Sequence, residues 1–188
     1  MDYNYTSIIS RKYYNSKDLK DFVIDDDIQN IGRLAFARSS IKSVVIPDSV
    51  VSIEYGAFYS CENLEDVQIG NGLTMISTKV FEGTPWLEGW LNSEWGDSDF
   101  LIIGDGILLS YRGNEESVAI PEEVKQIGPE AFKGNESIKK VYIPETVTKI
   151  CIDAFRGCSN LDTVTGCKGL KTIVHGAFND TAIDSEDF

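Results

Sequence analysis

Hydrophobic residues recur along this chain at an interval of 22 or 23 residues, with one longer gap of 51. The most regular position is a phenylalanine that follows an alanine or a valine, and it occurs six times: Phe36, Phe58, Phe81, Phe132, Phe155 and Phe178. Five residues before each phenylalanine stands an isoleucine: Ile31, Ile53, Ile76, Ile127, Ile150 and Ile173. Agreement over six copies identifies an internal repeat, and the repeat determines the fold.

Another part of each repeat predicts a short β-strand. Valine and isoleucine alternate, with one residue between them, in four copies: Val44 and Ile46, Val67 and Ile69, Val118 and Ile120, Val141 and Ile143. β-Branched residues with a period of two are typical of a strand that buries one face. A unit of 23 residues is too short to enclose its own core, so the copies must stack as successive rungs of a parallel solenoid.

The repeat also predicts the domain boundaries. Repetition runs over residues 18–183, with an insertion at residues 84–112 in the third repeat. Residues 1–17 precede the register, and we expect them to cover the first rung as an N-terminal cap segment. An acidic tail, residues 184–188, follows the last repeat.

The insertion predicts a helix followed by a hairpin. Thr84 and Pro85 resemble a helix N-cap with proline at the first helical position. Two apolar runs flank Gly104-Asp105-Gly106, which is typical of a β-hairpin. All three tryptophans lie in this segment: Trp86, Trp90 and Trp95. Aromatic residues at helical spacing often form a small core, whereas an exposed tryptophan would anchor a partner, and the sequence leaves both interpretations open.

The repeats resemble those of a known family. The stretches IPDSVVSIEYGAFYSCENLEDVQI and IPETVTKICIDAFRGCSNLDTV are similar to leucine-rich repeats of the bacterial surface antigen A (BspA-like) type, and the similarity covers about residues 18–183. The resemblance implies a β-rich, right-handed solenoid of leucine-rich repeats (LRR, usually classed as α/β), with about six repeats and short parallel strands. It also implies adhesion or protein–protein recognition, often at a cell surface.

Alternation within the strands predicts which side chains point away from the core. The central outward column comprises Val23, Val45, Gln68, Ala119, Tyr142 and Thr165, and the column beside it Asp21, Ser43, Asp66, Ser117, Lys140 and Thr163. We expect stacking to join them into one contiguous surface that binds a partner, chiefly through Val23, Val45, Asp66, Gln68, Lys140, Tyr142 and Thr165. The alternative is that these residues only favour strand formation. The tryptophans Trp86, Trp90 and Trp95 are the second candidate site.

Charge narrows the choice of partner. The 188 residues contain 17 Lys and Arg against 30 Asp and Glu, a formal net charge of −13, with no basic run longer than Lys139-Lys140. Nucleic acids and anionic membranes attract clustered cations, so we expect neither as a partner. No apolar run reaches the roughly 20 residues that a membrane-spanning helix needs.

The sequence contains few residue patterns of the types that catalyse reactions or bind metals. His175 is the single histidine, and no nucleophile motif accompanies it. The four cysteines lack the spacing of a zinc site or a disulfide framework, so we interpret them as structural: Cys61, Cys151, Cys158 and Cys167. The Asp25-Asp26-Asp27 run does not match a calcium-binding loop. We therefore expect no catalytic residue, no metal site and no cofactor.

These observations predict a non-enzymatic protein-binding module that presents the sheet face of a solenoid. The alternative is a structural spacer of a bacterial surface assembly without a specific ligand site. We expect a protein partner and a monomer or weak oligomer. The first residues lack the basic start and apolar run of a secretory signal, which favours the cytoplasm if Met1 is the native start. The family resemblance instead implies a cell-surface or secreted protein.

Overall fold

The computed structural model describes residues 7–92 and 98–183. The chain forms two compact units, an N-terminal unit within residues 1–97 and a C-terminal unit within residues 98–188. Each is a stack of parallel rungs, as the repeat predicts. Successive rungs contribute strands of three or four residues to one sheet and two-residue strands to another, named here the wide sheet and the narrow sheet of that unit; the narrow sheet of the C-terminal unit also contains two longer strands.

The N-terminal unit contains seven strands and one helix within its described residues. Its wide sheet has the order β2-β4-β6, with bounds Asp21–Val23, Ser43–Ile46 and Asp66–Ile69. Its narrow sheet has the order β1-β3-β5-β7, with bounds Ser7–Ile8, Asn30–Ile31, Ser52–Ile53 and Met75–Ile76. All these pairings are parallel, and Val44 lies between Phe22 and Val67 in the ladder. The repeat register found in the sequence is therefore the strand register.

The C-terminal unit begins with the predicted hairpin. Strands β8 (Phe100–Ile103) and β9 (Ile107–Tyr111) pair in antiparallel fashion. The wide sheet has the order β10-β12-β14, with bounds Ser117–Ala119, Lys140–Ile143 and Thr163–Gly166. The narrow sheet has the order β15-β13-β11-β9-β8, in which β11, β13 and β15 span Gln126–Ile127, Lys149–Ile150 and Thr172–Ile173.

Stacked phenylalanine rings form the centre of each unit. In the N-terminal unit, the ring of Phe58 lies 5.0 Å from that of Phe36 and 5.3 Å from that of Phe81. In the C-terminal unit, the ring of Phe155 lies 4.7 Å from that of Phe132 and 5.0 Å from that of Phe178. The predicted burial of Phe58, Phe132 and Phe155 is confirmed, because each is at most 1% exposed.

Two tyrosines extend these aromatic columns where the sequence repeat has no phenylalanine. The ring of Tyr13 stacks on Phe36 at 4.9 Å, and β1 pairs with β3 as the other narrow strands pair. The register thus reaches back to Ser7, before the expected start at residue 18. Tyr111 lies 5.0 Å from Phe132, and β9 pairs in parallel with β11. The segment 84–112, predicted as an insertion, therefore ends in a strand of the narrow sheet.

The turn around Tyr13 and around each of the six phenylalanines contains two residues in the left-handed region. They stand two positions before and two positions after the ring-bearing residue, with φ between 52° and 85°. The first set is Arg11, Leu34, Gly56, Lys79, Glu130, Asp153 and Gly176, and the second is Asn15, Arg38, Ser60, Gly83, Gly134, Gly157 and Asp180. A non-glycine residue in this region costs about 1–2 kcal/mol. Hydrogen bonds between successive turns, such as Phe36 N to Ala57 O at 2.7 Å, oppose that cost.

The helix of the segment 84–112 begins where the sequence predicts. Helix α1 spans Pro85–Leu91, and the Thr84 hydroxyl accepts a hydrogen bond from the Leu87 amide at 3.3 Å. Thr84 is fully buried, and its hydroxyl donates to the Phe81 carbonyl at 2.7 Å. The cap therefore attaches the helix to the phenylalanine turn of the last N-terminal rung.

The outward columns lie in two sheets. The sequence analysis stacked six strands as one sheet, whereas the structure divides them between the wide sheets β2-β4-β6 and β10-β12-β14. The physical reason is the segment 84–112. The repeat would place the next wide-sheet strand after β6 in this segment, but the segment forms the helix and the hairpin instead.

We predict that Phe132→Ala lowers the free energy of unfolding by about 3–5 kcal/mol, because it leaves a cavity between Tyr111 and Phe155. Urea unfolding followed by circular dichroism measures the change. Ser137→Ala, at an exposed position of the same unit, is the matched control and should unfold like the parent. Equal midpoints for the parent and Phe132→Ala would contradict the assigned ring column.

Candidate functional site

The candidate site is the outward face of each wide sheet. In the N-terminal unit, Val23, Val45 and Gln68 occupy the central column, and Val23 is 69% exposed. Asp21 and Asp66 flank this column and are exposed, and the Ser43 hydroxyl donates to the Asp21 carboxylate at 2.8 Å. The face therefore combines two valines with an acidic border.

The C-terminal face differs in its chemistry. Tyr142 is 46% exposed and pairs in register with Ala119 on one side and Thr165 on the other. A Cβ atom at Gly166 would lie 3.2 Å from Tyr142 Cε2, so the ring lies against the bare backbone of that glycine. Tyr142 is therefore a positioned aromatic side chain among small neighbours, with the exposed Lys140 beside it.

A charged column borders the C-terminal face, and the sequence analysis did not single it out. Lys139 Nζ lies 2.7 Å from a Glu116 carboxylate oxygen on the preceding rung. Asp162 holds the same position on the next rung, since its amide donates to the Lys139 carbonyl. These residues stand two positions before the strand valines, so alignment of the repeats by charge would have shown the column. The pairing keeps Lys139 at the border of the face.

The described tryptophans pack rather than protrude. The ring of Trp86 lies 4.9 Å from that of Phe81 in an edge-to-face arrangement, and Trp90 is only 7% exposed. Their geometry matches the interpretation of a small satellite core. Trp95 lies outside the described residues, as does the acidic tail at 184–188.

The cysteines lie in structural positions. Cys61 and Cys158 are fully buried, and their thiols donate to the carbonyls of Phe36 at 3.1 Å and Phe132 at 3.0 Å. Burial raises the pKa of the Cys158 thiol from 9.0 to about 11, partly opposed by a backbone hydrogen bond from Asn135. Burial also raises the pKa of Cys61, Cys151 and Cys167. A raised pKa suppresses the thiolate that a nucleophile requires.

The histidine and the aspartate run identified in the sequence lie at the surface. His175 is exposed, and the aspartates 25–27 are exposed in a turn. Over residues 7–92 and 98–183, no three His, Cys, Asp or Glu side chains are grouped to hold a metal ion. In the same ranges, no helix combines the length and the apolar character needed to cross a membrane.

Sequence comparison then decides the family. The profile described as "BspA type Leucine rich repeat region" matches six copies, over residues 1–91 and 103–188. The chain belongs to the BspA-type leucine-rich repeat family. Membership confirms the predicted solenoid class and indicates a repeat-protein binding or surface module; leucine-rich-repeat solenoids are typically non-enzymatic. No curated protein matches this sequence.

Solved structures resemble the chain at low identity. The pneumococcal vaccine antigen PcpA is 18% identical with a TM-score of 0.47, covering 88% of this chain and 49% of that protein. A leucine-rich repeat protein of T. pallidum is 20% identical with a TM-score of 0.45, covering 96% and 72%. A leucine-rich cell surface protein of Faecalibacterium prausnitzii is 20% identical with a TM-score of 0.39, covering 93% and 68%. The chain thus spans about half the length of the pneumococcal antigen.

We predict that the parent protein loses more stability between pH 9 and pH 11 than a Cys158→Ser variant. A thiol whose pKa is raised in the folded state stabilises that state below pH 9, and the contribution is lost as the pH rises towards about 11. The serine variant has no titrating group at this position. Urea unfolding of both proteins at pH 8 and pH 10.5 measures the difference, and parallel pH profiles would contradict the assignment.

Proposed function

We propose that this chain is a non-enzymatic protein-binding module whose anchor is Tyr142 on the C-terminal wide sheet. The observation that carries the proposal is the exposure of a large aromatic ring on a strand that is paired on both sides. Tyrosines in such positions often dominate the binding energy of protein interfaces. The proposal extends to a protein partner, to a monomer or weak oligomer and to exposure at a cell surface, which the family resemblance implies.

The surroundings of Tyr142 support an interface rather than a strand-forming role alone. Strand propensity explains the threonines, which are β-branched. The ring itself packs against Gly166, a position that has to be glycine because a Cβ atom there would overlap the Ile143 carbonyl oxygen, so the ring is held in place by a fixed feature of the neighbouring strand. Because Ala119 is small, a partner can reach the side of the ring that faces away from Gly166. Lys140 then supplies a charge at the edge of the contact.

The N-terminal face is the weaker part of the proposal. Val23 is exposed and Val45 is half-buried, so this face presents one readily accessible apolar side chain. Their neighbours Asp66 and Gln68 are exposed and polar, so this face offers no aromatic anchor. We therefore expect it to contribute less binding energy than Tyr142.

Photo-cross-linking tests the proposal because the partner is unidentified. We predict that p-benzoylphenylalanine in place of Tyr142 forms a covalent adduct with one protein on intact bacterial or host cells. The same residue in place of Ile152, which is 44% exposed in the same unit, is the matched control. Adducts at both positions, or at Ile152 only, would argue against a specific site.

The captured partner then allows a quantitative test. Tyr142→Ala should weaken its binding by about thirtyfold, the effect of an aromatic hot spot of about 2 kcal/mol. Val45→Asp should weaken binding by less. Unchanged affinity for a folded Tyr142→Ala variant would refute the proposed anchor, and unchanged affinity for both variants would favour a spacer without a ligand site on these faces.

A further inference from the structure

The N-terminal unit concentrates positive charge that is dispersed in the sequence. Its first two aromatic turns, residues 9–20 and 32–42, contain a single carboxylate, Asp18, in a chain whose net charge is −13. Their seven cations are all exposed: Arg11, Lys12, Lys17, Lys20, Arg33, Arg38 and Lys42. We call this set the basic turn surface.

Backbone hydrogen bonds hold the two turns side by side. The Arg11 amide donates to the Arg33 carbonyl at 3.1 Å, and the Asn15 amide donates to the Ala37 carbonyl at 2.9 Å. Further along, the Lys42 amide donates to the Lys20 carbonyl at 2.6 Å. The cations of both turns therefore lie on one continuous surface.

Aromatic rings orient three of these cations, Arg11, Lys12 and Arg33. The Arg33 guanidinium lies 4.5 Å from the centre of the Tyr55 ring, and that of Arg11 lies 5.6 Å from the centre of the Tyr14 ring. Among the described residues, the ion pairs within 4 Å involve other lysines and arginines and none of these seven. Cation–π contacts position a guanidinium without neutralising it. The surface can therefore still pair with an external anion.

A polar groove of about 350 Å³ lies at the edge of this surface, where it meets the third turn. Eight residues from three successive turns line it: Asn15, Lys17, Arg38, Ser39, Ser40, Ser60, Glu62 and Asn63. Its volume is within the range of small-molecule sites, roughly 300–1,000 Å³. Ser39 and Ser40 already have partners, since their hydroxyls contact the Cys61 thiol and the Leu19 carbonyl. Within the described chain, the other six side chains make no hydrogen bond or ion pair.

The lining chemistry distinguishes between classes of ligand. A protein segment would need an apolar pocket for its anchor, and the lining contains no apolar side chain. A nucleic acid would carry a long run of phosphates past Glu62, whose carboxylate lines the groove. A saccharide instead presents many hydroxyl groups, which amides and serines bind, and a carboxylate or sulfate on it would pair with Lys17 and Arg38.

We propose that this groove binds an acidic saccharide, with its carboxylate or sulfate group between Lys17 and Arg38. The hydroxyl groups of the sugar then pair with the side chains of Asn15, Ser60 and Asn63, and Glu62 accepts from a further hydroxyl. The site is independent of the wide-sheet faces, so neither Tyr142 nor Val45 contributes to it.

Calorimetric titration with defined oligosaccharides tests the proposal. The probes are hexagalacturonate, which carries carboxylates, and a heparin hexasaccharide, which also carries sulfates; binding of either one is the expected result. Cellohexaose is the neutral control, a 12-base-pair DNA duplex and hexaglutamate are the polyanion controls, and all should bind at least tenfold more weakly. Failure of both acidic saccharides to bind, or equal binding of any control, would overturn the proposal.

A pair of charge-matched variants tests the location. The double variant Lys17→Gln with Arg38→Gln should weaken saccharide binding by about tenfold or more, since it removes two charge-assisted hydrogen bonds. Lys149→Gln with Lys171→Gln removes the same charge from the C-terminal unit, and its affinity should remain within about threefold of the parent's. Equal losses in the two double variants would show a diffuse charge effect and refute the site.

A measurement on the unmodified protein complements the variants. In a nuclear magnetic resonance titration with the tighter-binding saccharide, the side-chain amide signals of Asn15 and Asn63 should shift, while those of Asn160 in the C-terminal unit should not. Signals of the wide-sheet residues should also remain in place. Shifts confined to residues outside the groove would overturn the assignment, whatever the outcome for Tyr142.

Discussion

A repeat of 23 residues cannot bury its own phenylalanine, so each rung depends on its neighbours for a hydrophobic core. The end of the C-terminal narrow sheet shows this dependence directly. Ile150, between β11 and β15, is fully buried, whereas Ile173, at the same repeat position in the last strand of that sheet, is 40% exposed. The same constraint fixes the register, because a phenylalanine that shifted by one residue would leave its column. The register therefore also determines which side chains lie on the surface.

The register places different chemistry on different surfaces of the rungs. Along each strand, side chains point alternately to the core and to solvent. The outward side chains of the wide sheets therefore form columns, in which Tyr142 lies among small residues. Each turn instead exposes several side chains to solvent. Stacking of the rungs places cations of neighbouring turns side by side, as in the pair Arg11 and Arg33. A face for a protein partner and a groove for an acidic saccharide can therefore exist on one scaffold without sharing residues.

The sequence predicted the features that depend on periodicity. The phenylalanine columns, the valine strands, the cap at Thr84 and the hairpin all follow from spacing and turn chemistry. It did not reveal that Tyr13 and Tyr111 replace phenylalanine in the columns, because a single position outside the repeat consensus carries little signal. It also missed the basic turn surface, because Lys17 and Arg38 are 21 residues apart in the chain and only stacking brings them to one groove.

A disulfide engineered between two rungs tests the stacking register most directly. Ser39 and Cys61 hold the same position on successive rungs, and Ser39 Oγ lies 3.6 Å from Cys61 Sγ, so a short shift of the side chains would reach the bond length of a disulfide. Ser39→Cys should therefore form a disulfide with Cys61 when the protein is refolded under mild oxidation. Ser40→Cys, one residue away, should not. Peptide mapping by mass spectrometry would show the bond. A bond to Cys61 in the Ser40→Cys variant, or none in Ser39→Cys, would contradict the register.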